Sequence, residues 1–132
     1  MKDESQFCPF CTRAEGREII IENDLAYATY DKYPVSTGHA LIISKRHCGN
    51  YFDLTLEEQS SCWNLVNRVK EIIRYRIHPD GYNIGVNIGE VSGQTIPHVH
   101  IHLIPRYQGD VRDPRGGIRG VIPRNKEYPF QL

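Results

Sequence analysis

The chain lacks any segment able to cross a membrane. None of its apolar runs approaches the roughly 20 residues that a membrane-spanning helix needs. The polar N-terminus "MKDESQFCPFCTRAEG" also lacks the apolar core of a secretory signal peptide. We therefore expect a soluble cytoplasmic protein without a membrane partner.

The chain also lacks an excess of charge of either sign. Sixteen basic and sixteen acidic side chains cancel, and no block of like charge occurs, so we expect no nucleic-acid partner. A length of 132 residues fits one domain and not two ordinary ones. We divide this single domain into a core of residues 1–106 and a tail of residues 107–132 that is rich in Gly, Pro and Arg.

Cysteine is scarce, with four residues in the chain: Cys8, Cys11, Cys48 and Cys62. In an intracellular protein, reduced thiols or metal ligands are expected rather than disulfides. Cys8 and Cys11 have the C-x-x-C spacing with which two thiolates bind one zinc ion, and no thioredoxin-like strand precedes them. The spacing alone leaves a metal site and an inert pair equally open.

Hydrophobic periodicity predicts an α+β domain, with five strands in a mostly antiparallel sheet and one long helix. Short β-branched and aromatic runs bounded by turn residues mark the strands, and Asn23-Asp24 separates the first two as a hairpin turn. The predicted strands are residues 17–23, 25–32, 39–46, 82–89 and 98–106.

The helix is predicted to begin at Thr55, which forms a capping box with Glu58 three residues later. Its apolar stripe is expected to lie on the sheet, and "HPDG", residues 78–81, ends it as a turn. The residues of this predicted stripe are Cys62, Val66, Val69 and Ile73, widened by Trp63, Ile72 and Ile77.

The segment "PHVHIHLIPR" alternates histidines with aliphatic residues. On a strand this pattern places His98, His100 and His102 on one face, with the aliphatic residues in the core behind them. Three such imidazoles could together hold a metal, or one could be a nucleophile whose neighbours bind phosphate. The preceding loop favours the second chemistry, because its small residues and amide and hydroxyl donors suit a phosphate. These loop residues are Gly89, Gly93, Gln94 and Thr95.

With these motifs, the chain resembles the histidine triad (HIT) family of nucleotide hydrolases and transferases. "HVHIHLI" matches the family's His-φ-His-φ-His-φ-φ motif, where φ is apolar. The similarity runs from "CPFC" through "YDKYPVSTGHALIISKRH" to "GYNIGVNIGEVSGQTIPHVHIHLIPR". The resemblance implies a HIT-like fold and a homodimer in which two five-stranded sheets join side by side, and the cysteines indicate a zinc-containing member of bacterial type.

The resemblance also implies a reaction. His100 attacks the α-phosphorus of a nucleotide to form a nucleotidyl-histidine, and water then releases a nucleoside monophosphate. The substrate is a phosphoanhydride or phosphoramidate, with adenine as the default base. His102 and Asn87 contact the phosphate oxygens, and Gln94, Thr95 and the backbone amide of Gly93 complete the phosphate site. The Thr95 hydroxyl is the candidate to pass a proton to the leaving group.

The remaining implied roles concern the nucleoside and the metal. Asp31 binds the ribose hydroxyls, His39 supports the active-site histidines, and Phe10 and Leu41 flank the base. A structural zinc ion is held by Cys8, Cys11, His47 and His98; Cys48 beside His47 is a competing ligand, and Cys62 belongs to the helix core.

Three other functions stay open. Within the family, inorganic phosphate could replace water, so that a dinucleoside polyphosphate is phosphorolysed by transfer. A regulatory protein could bind AMP at the triad and turn over slowly. A zinc interaction module could use the arginines of the tail to contact nucleic acid; these are Arg112, Arg115, Arg119 and Arg124.

Overall fold

The computed structural model describes residues 8–12 and 18–129 of the chain. Within these residues, five strands form one sheet in the order β1-β2-β3-β5-β4, with every neighbouring pair antiparallel. One long helix packs on this sheet, which confirms the predicted α+β class. The elements are β1 Ile19–Glu22, β2 Ala26–Tyr30, β3 Ala40–Ser44, α1 Leu56–Ile77, β4 Gly81–Gly85 and β5 His100–Arg106.

All five strands are shorter than their sequence patterns predict, and in two of them the difference bears on the candidate site. β4 ends at Gly85, which pairs with His102, and the chain then leaves the sheet for a long loop. β5 begins at His100 rather than at His98, because the His98 N–H donates to the Ile96 carbonyl (2.8 Å) and turns the backbone. The predicted start of the first strand, Arg17, lies outside the described residues.

The first hairpin forms where Asn23 was expected to turn the chain. The Asn23 side-chain oxygen accepts hydrogen bonds from the backbone N–H groups of Leu25 (3.1 Å) and Ala26 (2.9 Å). An Asn side chain that binds the backbone two residues ahead supports a tight turn. The prediction of a β1–β2 hairpin is therefore confirmed.

The capping box of α1 is confirmed in both of its hydrogen bonds. The Thr55 hydroxyl accepts from the Glu58 N–H (3.0 Å), and the Glu58 carboxylate accepts from the Thr55 N–H (2.9 Å). The helix ends at His78, which takes a left-handed conformation with φ of 50° and donates its N–H to Arg74. Pro79 then follows, so the helix cannot continue.

The main core lies between α1 and one face of the sheet. The four residues predicted as the helix stripe are buried there, together with Leu65, which the pattern missed. Trp63 was predicted to widen the stripe, and that prediction is wrong: its side chain is 40% exposed and donates its indole N–H to the Tyr51 hydroxyl. Each fully buried aliphatic side chain contributes roughly 1.5–3 kcal/mol to the free energy of unfolding.

No helix in the described ranges is long and apolar enough to span a bilayer.

The opposite face of the sheet carries a second apolar cluster, in which Phe10 packs against Tyr27, Leu41 and Ile43. β5 directs His100 and His102 toward this face, since Ile101 and Leu103 belong to the core under the helix. The helix therefore covers one face of the sheet, and the candidate catalytic histidines lie on the other face.

The described part of the tail folds back beside β4. It forms two short 3-10 turns, Gly117–Val121 and Pro123–Asn125. The Arg119 guanidinium closes these turns by donating to the backbone carbonyls of Asn125 (2.8 Å) and Lys126 (3.0 Å). At its start, the tail is anchored by the Tyr107 hydroxyl, which donates to the Thr37 carbonyl (2.6 Å).

A paired ion links the end of β3 to the start of α1. The Arg46 guanidinium donates to both oxygens of the Glu58 carboxylate, at 2.8 and 2.9 Å, and the Glu58 side chain is 7% exposed. This hydrogen bonding from Arg46, with that from Thr55, lowers the pKa of Glu58 from 4.5 to about 2. The pair holds in place the segment that continues directly into His47.

We predict that Glu58→Gln lowers the free energy of unfolding at pH 7 by about 1–2 kcal/mol, since it removes the charge that binds Arg46. The pKa is lower in the folded state, so the contribution is present above the ordinary carboxyl value and declines as the pH falls toward 2. Urea denaturation of the variant and the natural chain at pH 7, 5 and 3.5 measures it. A difference in stability that stays constant down to pH 3.5 contradicts the assignment.

Candidate active site and metal centre

The four predicted metal ligands meet at one point behind β5. Their ligand atoms, the sulfurs of Cys8 and Cys11 and a ring nitrogen of His47 and of His98, all lie within 4.8 Å of one another. The two Nδ1 atoms are 3.2 Å apart, and sulfur-to-nitrogen distances are 3.0 to 3.4 Å. Ordinary zinc bond lengths in a tetrahedron give about 3.3 Å between nitrogens and about 3.5 Å from sulfur to nitrogen. The donors therefore fit a four-coordinate metal ion.

The buried His98 ring has a fixed tautomer that suits this role. Its Nε2 lies 2.6 Å from the Ser44 carbonyl, which only accepts hydrogen bonds, so Nε2 carries the proton. The lone pair of Nδ1 then faces the cluster. Burial lowers the pKa of His98, which keeps the ring neutral and able to bind a metal. Cys48, the competing ligand, instead directs its thiol to the Asn50 carbonyl (3.2 Å).

His100 presents a lone pair on the open side of its ring. Its Nδ1 lies 2.8 Å from the backbone carbonyl of His98, so Nδ1 donates the proton and Nε2 holds the lone pair. The ring is 8% exposed and is flanked by the rings of Phe10 and His102, with centroids at 5.0 and 5.1 Å. A neutral imidazole with its lone pair on Nε2 is the form that acts as a nucleophile.

His102 is oriented by a chain of hydrogen bonds that begins at the backbone. The Val35 N–H donates to Nδ1 of His39 (3.1 Å), so the proton of neutral His39 lies on Nε2. That Nε2 donates to Nδ1 of His102 (2.9 Å), which leaves the Nε2 proton of His102 free to donate. The Asp31 carboxylate lies 3.5 Å from Nε2 of His39. His102 is thus prepared to bind an anion.

Burial keeps the hydrogen-bonded pair His39 and His102 uncharged. Desolvation, with smaller effects from His100 and His39, lowers the pKa of His102 to about 4, although Asp31 opposes the shift. Burial likewise lowers the pKa of His39. Asp31, His39 and His102 could also be grouped as a metal site by distance. However, the lone pair of His39 already accepts from Val35, so hydrogen bonding describes this group better than metal binding.

The loop before β5 carries the residues that we predicted to bind phosphate. Gly89 and Gly93 adopt φ values of 91° and 98°, which an L side chain rarely takes. The Asn87 side chain lies beside Gly93. The Gln94 amide accepts from the Gly89 N–H (2.9 Å) and donates to the carbonyls of Gly49 (2.7 Å) and Ile96 (3.1 Å). Gln94 thus braces the loop, and its contact with phosphate remains a prediction, as does the role of the exposed Thr95.

The predicted base-flanking residues lie in the apolar cluster beside the histidines. Phe10 and Leu41 are 1% and 3% exposed, and Leu41 pairs with His102 across β3 and β5. Asp31 lies at the end of β2, where one carboxylate oxygen accepts from the Tyr33 N–H (2.9 Å). Contacts of these residues with a base or a ribose remain predictions.

The sequence analysis missed three groups that shape the site. The Ser44 carbonyl and the Val35 N–H set the histidine tautomers, and backbone groups have no signature in a sequence. The third is Tyr27, whose hydroxyl donates to the carbonyl of Phe10 (2.5 Å). Its position on the same face of β2 as the second apolar cluster was readable from strand alternation.

Comparison with known proteins shows the family to which the chain is similar. The model of the HIT domain family matches residues 13–109. A bis(5'-adenosyl)-triphosphatase of Dictyostelium discoideum is 36% identical over 93 residues, which cover 70% of this chain and 62% of that protein. An AP-4-A phosphorylase of Mycobacterium tuberculosis is 29% identical over 93 residues, 70% of this chain and 48% of its own length.

Two solved structures share the fold at a TM-score of 0.73 each. A HIT family protein from Bacillus anthracis is 36% identical and covers 78% of this chain and 75% of its own. A zinc-bound histidine triad family protein from Mycobacterium smegmatis is 32% identical and covers 83% of this chain and 85% of its own. The chain thus resembles a relative in which zinc is present.

We predict that the natural protein binds about one metal ion per chain and that Cys11→Ser loses it, because four protein ligands are needed to close such a site. Elemental analysis after gel filtration measures the content. Cys48→Ser is the matched control: it also removes a thiol, yet Cys48 lies outside the cluster. Equal metal loss in both variants, or none in Cys11→Ser, contradicts the ligand set.

Proposed function

The chain belongs to the histidine triad family, and we propose that it is a hydrolase that cleaves the α-phosphate bond of a nucleoside phosphoanhydride or phosphoramidate. One observation carries the proposal: the ring of His100, with its lone pair on Nε2, lies 5.1 Å from the ring of His102, with its proton on Nε2. A nucleophile next to a donor for an anionic oxygen is the pair that attack on a phosphorus atom requires.

In the first step, Nε2 of His100 attacks the α-phosphorus. A nitrogen–phosphorus bond forms as the bond from phosphorus to the leaving oxygen or nitrogen breaks, and the leaving group takes a proton from the Thr95 hydroxyl or from water. In the second step, water attacks the phosphorus, the nitrogen–phosphorus bond breaks, and the proton that water loses restores the Thr95 hydroxyl or passes to solvent. A nucleoside monophosphate is released and His100 returns neutral, so one difficult displacement becomes two easier ones.

The other predicted contacts stabilise the charge that develops on phosphorus. We propose that His102 and Asn87 donate to its nonbridging oxygens, and that Thr95, Gln94 and the backbone N–H of Gly93 complete the site. The left-handed glycines leave the backbone of this loop open to close approach. Donors fixed before reaction need no reorganisation when charge builds up.

We assign an adenine nucleotide as the preferred substrate. The proximity of Asp31 to the histidines suits a carboxylate that accepts from ribose hydroxyls, and Phe10 and Leu41 offer an apolar wall for the base. Relatives named for bis(5'-adenosyl) and AP-4-A compounds support adenosine.

Phosphorolysis is the second candidate, since the Mycobacterium tuberculosis relative is named a phosphorylase. Adding inorganic phosphate to the reaction distinguishes phosphorolysis from hydrolysis. Phosphorolysis yields a nucleoside diphosphate, whereas hydrolysis yields a nucleoside monophosphate. A regulatory protein with slow turnover is the remaining alternative. The presence of His100, His102 and Asn87 in one chain favours catalysis over binding alone.

We propose zinc as the metal and a structural role for it. Two thiolates and two imidazoles are a common zinc donor set, and four protein ligands leave no position for a water molecule. The metal would tie residues 8–12 to the segment that precedes β5. A reducing compartment such as the cytoplasm suits this site, since none of the four cysteines forms a disulfide.

We predict that the natural protein, mixed with diadenosine polyphosphate and quenched rapidly, carries an AMP-sized mass adduct that His100→Gly lacks, because glycine has no nitrogen to attack phosphorus. Intact-mass spectrometry measures the adduct. Turnover by the variant is expected to fall by at least 10³-fold. Turnover by the variant at the rate of the natural protein contradicts the covalent mechanism.

We also propose a homodimer that joins through β4. This strand forms an open edge of the sheet, and an exposed edge is a template for pairing with a second chain. Apolar side chains of the tail are exposed on the same side, where the tail folds back on β4. They are Val111, Ile118, Val121 and Ile122.

We predict a mass of twice 15.2 kDa in light scattering at micromolar concentration, and a shift toward the monomer in Ile84→Glu. Ile84 lies on β4 and is 40% exposed, so the variant would place like charges across the interface. Ile19→Glu is the control, since Ile19 is 38% exposed on β1 at the opposite edge. A monomeric natural chain, or equal effects of both variants, refutes the proposed interface.

A further inference from the structure

We infer that Phe10 is a positioning residue through which the metal centre holds the ring of His100. The inference rests on the proposed function, because it concerns the nucleophile of that reaction. It adds to the roles assigned above: the metal stabilises the chain and also keeps the nucleophile in its reactive orientation.

Phe10 lies between the two cysteine ligands and under both histidines. Its side chain is 1% exposed, although residues 8–12 belong to no strand or helix. Its ring meets His98 nearly edge-on, at 5.9 Å and 89°, and meets His100 at 5.0 Å and 62°. One aromatic ring therefore touches a metal ligand and the nucleophile.

The position of this ring depends on the metal centre. Cys8 and Cys11, which bracket Phe10, are the two thiolate ligands, and the Tyr27 hydroxyl holds the Phe10 carbonyl from β2. As metal ligands, the sulfurs of Cys8 and Cys11 are negatively charged thiolates. Without the metal, no cation joins them. The Phe10 ring would keep its apolar contacts with Tyr27, Leu41 and Ile43, but its segment would lose the link through the metal to His47 and His98.

The orientation of His100 depends in turn on this ring. The Nδ1 bond to the His98 carbonyl restrains the imidazole at one atom, and the flanking rings of Phe10 and His102 limit the tilt that this bond still allows. Removal of one wall widens the range of directions in which Nε2 points. Misplacement of a reacting atom by about 1 Å can cost 10²-fold in rate. Nucleotide affinity would change much less than the rate in a variant that keeps an apolar side chain at this position, because the wall for the base and the phosphate donors both remain.

The test compares Phe10→Leu with the natural chain, both loaded with zinc. Leucine keeps the site apolar but removes the ring. Thr12→Ala is the matched control in the same segment, since Thr12 is exposed and its hydroxyl donates to the nearby Pro9 carbonyl (3.0 Å). Tyr27→Phe is the second variant: it releases the Phe10 carbonyl and keeps every ring. Zinc content, affinity for AMP, rate of adduct formation and long-range ¹H–¹⁵N NMR signals of the His100 ring are measured.

The expected result is an adduct rate lowered about 10-fold or more in Phe10→Leu, with zinc content and AMP affinity unchanged and the His100 signals broadened or mixed. Tyr27→Phe should show a smaller change of the same kind. Natural protein stripped of zinc with a chelator should show the same change in its His100 signals, which is a readout independent of turnover.

Three results overturn the inference. The first is an unchanged adduct rate in zinc-loaded Phe10→Leu. The second is weaker AMP binding with an unchanged rate at saturation, which would make Phe10 a base contact only. The third is His100 signals that do not respond to zinc removal or to Phe10→Leu. If the natural chain forms no adduct at all, the proposed function fails, and the NMR comparison still decides whether Phe10 orients the ring.

Discussion

A neutral imidazole has one proton, and the nitrogen that carries it decides what each histidine of this site can do. Backbone groups fix that proton throughout. The Ser44 carbonyl turns a lone pair of His98 toward the metal ligands, and the His98 carbonyl turns a lone pair of His100 outward. The Val35 N–H acts through His39 to leave His102 with a proton to donate. Three chemically identical side chains are thereby suited to the three roles proposed for them, which are ligand, nucleophile and donor.

This arrangement works only while the rings stay uncharged, and burial provides that condition. A protonated imidazole has two donors and no lone pair, so it cannot bind a metal or attack phosphorus. Desolvation lowers the pKa of His98, His39 and His102, and in His102 it outweighs the opposing effect of Asp31. Because His39 must accept from Val35, its protonation would also break a buried hydrogen bond. The fold and the chemistry therefore favour the same protonation state.

Much of the fold could be predicted from the pattern of side chains along the sequence, because side-chain contacts hold the helix cap and the core together. The Thr55–Glu58 capping box is visible in the sequence, and so is the alternation of imidazole and aliphatic residues along β5. Both are present in the structure. Trp63 was misassigned, since helical spacing alone does not say how wide the buried stripe is. The start of β5 and the tautomers depend on backbone groups, which every residue shares. The four metal ligands could be named only through family resemblance, because His47 and the cysteines lie far apart in the chain.

The shortened β5 strand explains how two sites fit on neighbouring residues. In a regular strand, the His98 carbonyl would point along the ladder toward the next strand. Here the His98 N–H bonds back to Ile96, and the turned peptide directs its carbonyl to Nδ1 of His100. Val99 then resumes pairing through its own N–H, which donates to the Cys48 carbonyl (2.8 Å), next to the ligand His47. The turn that carries a metal ligand thus also sets the nucleophile, so the metal centre and the active site share one stretch of backbone while their side chains remain separate.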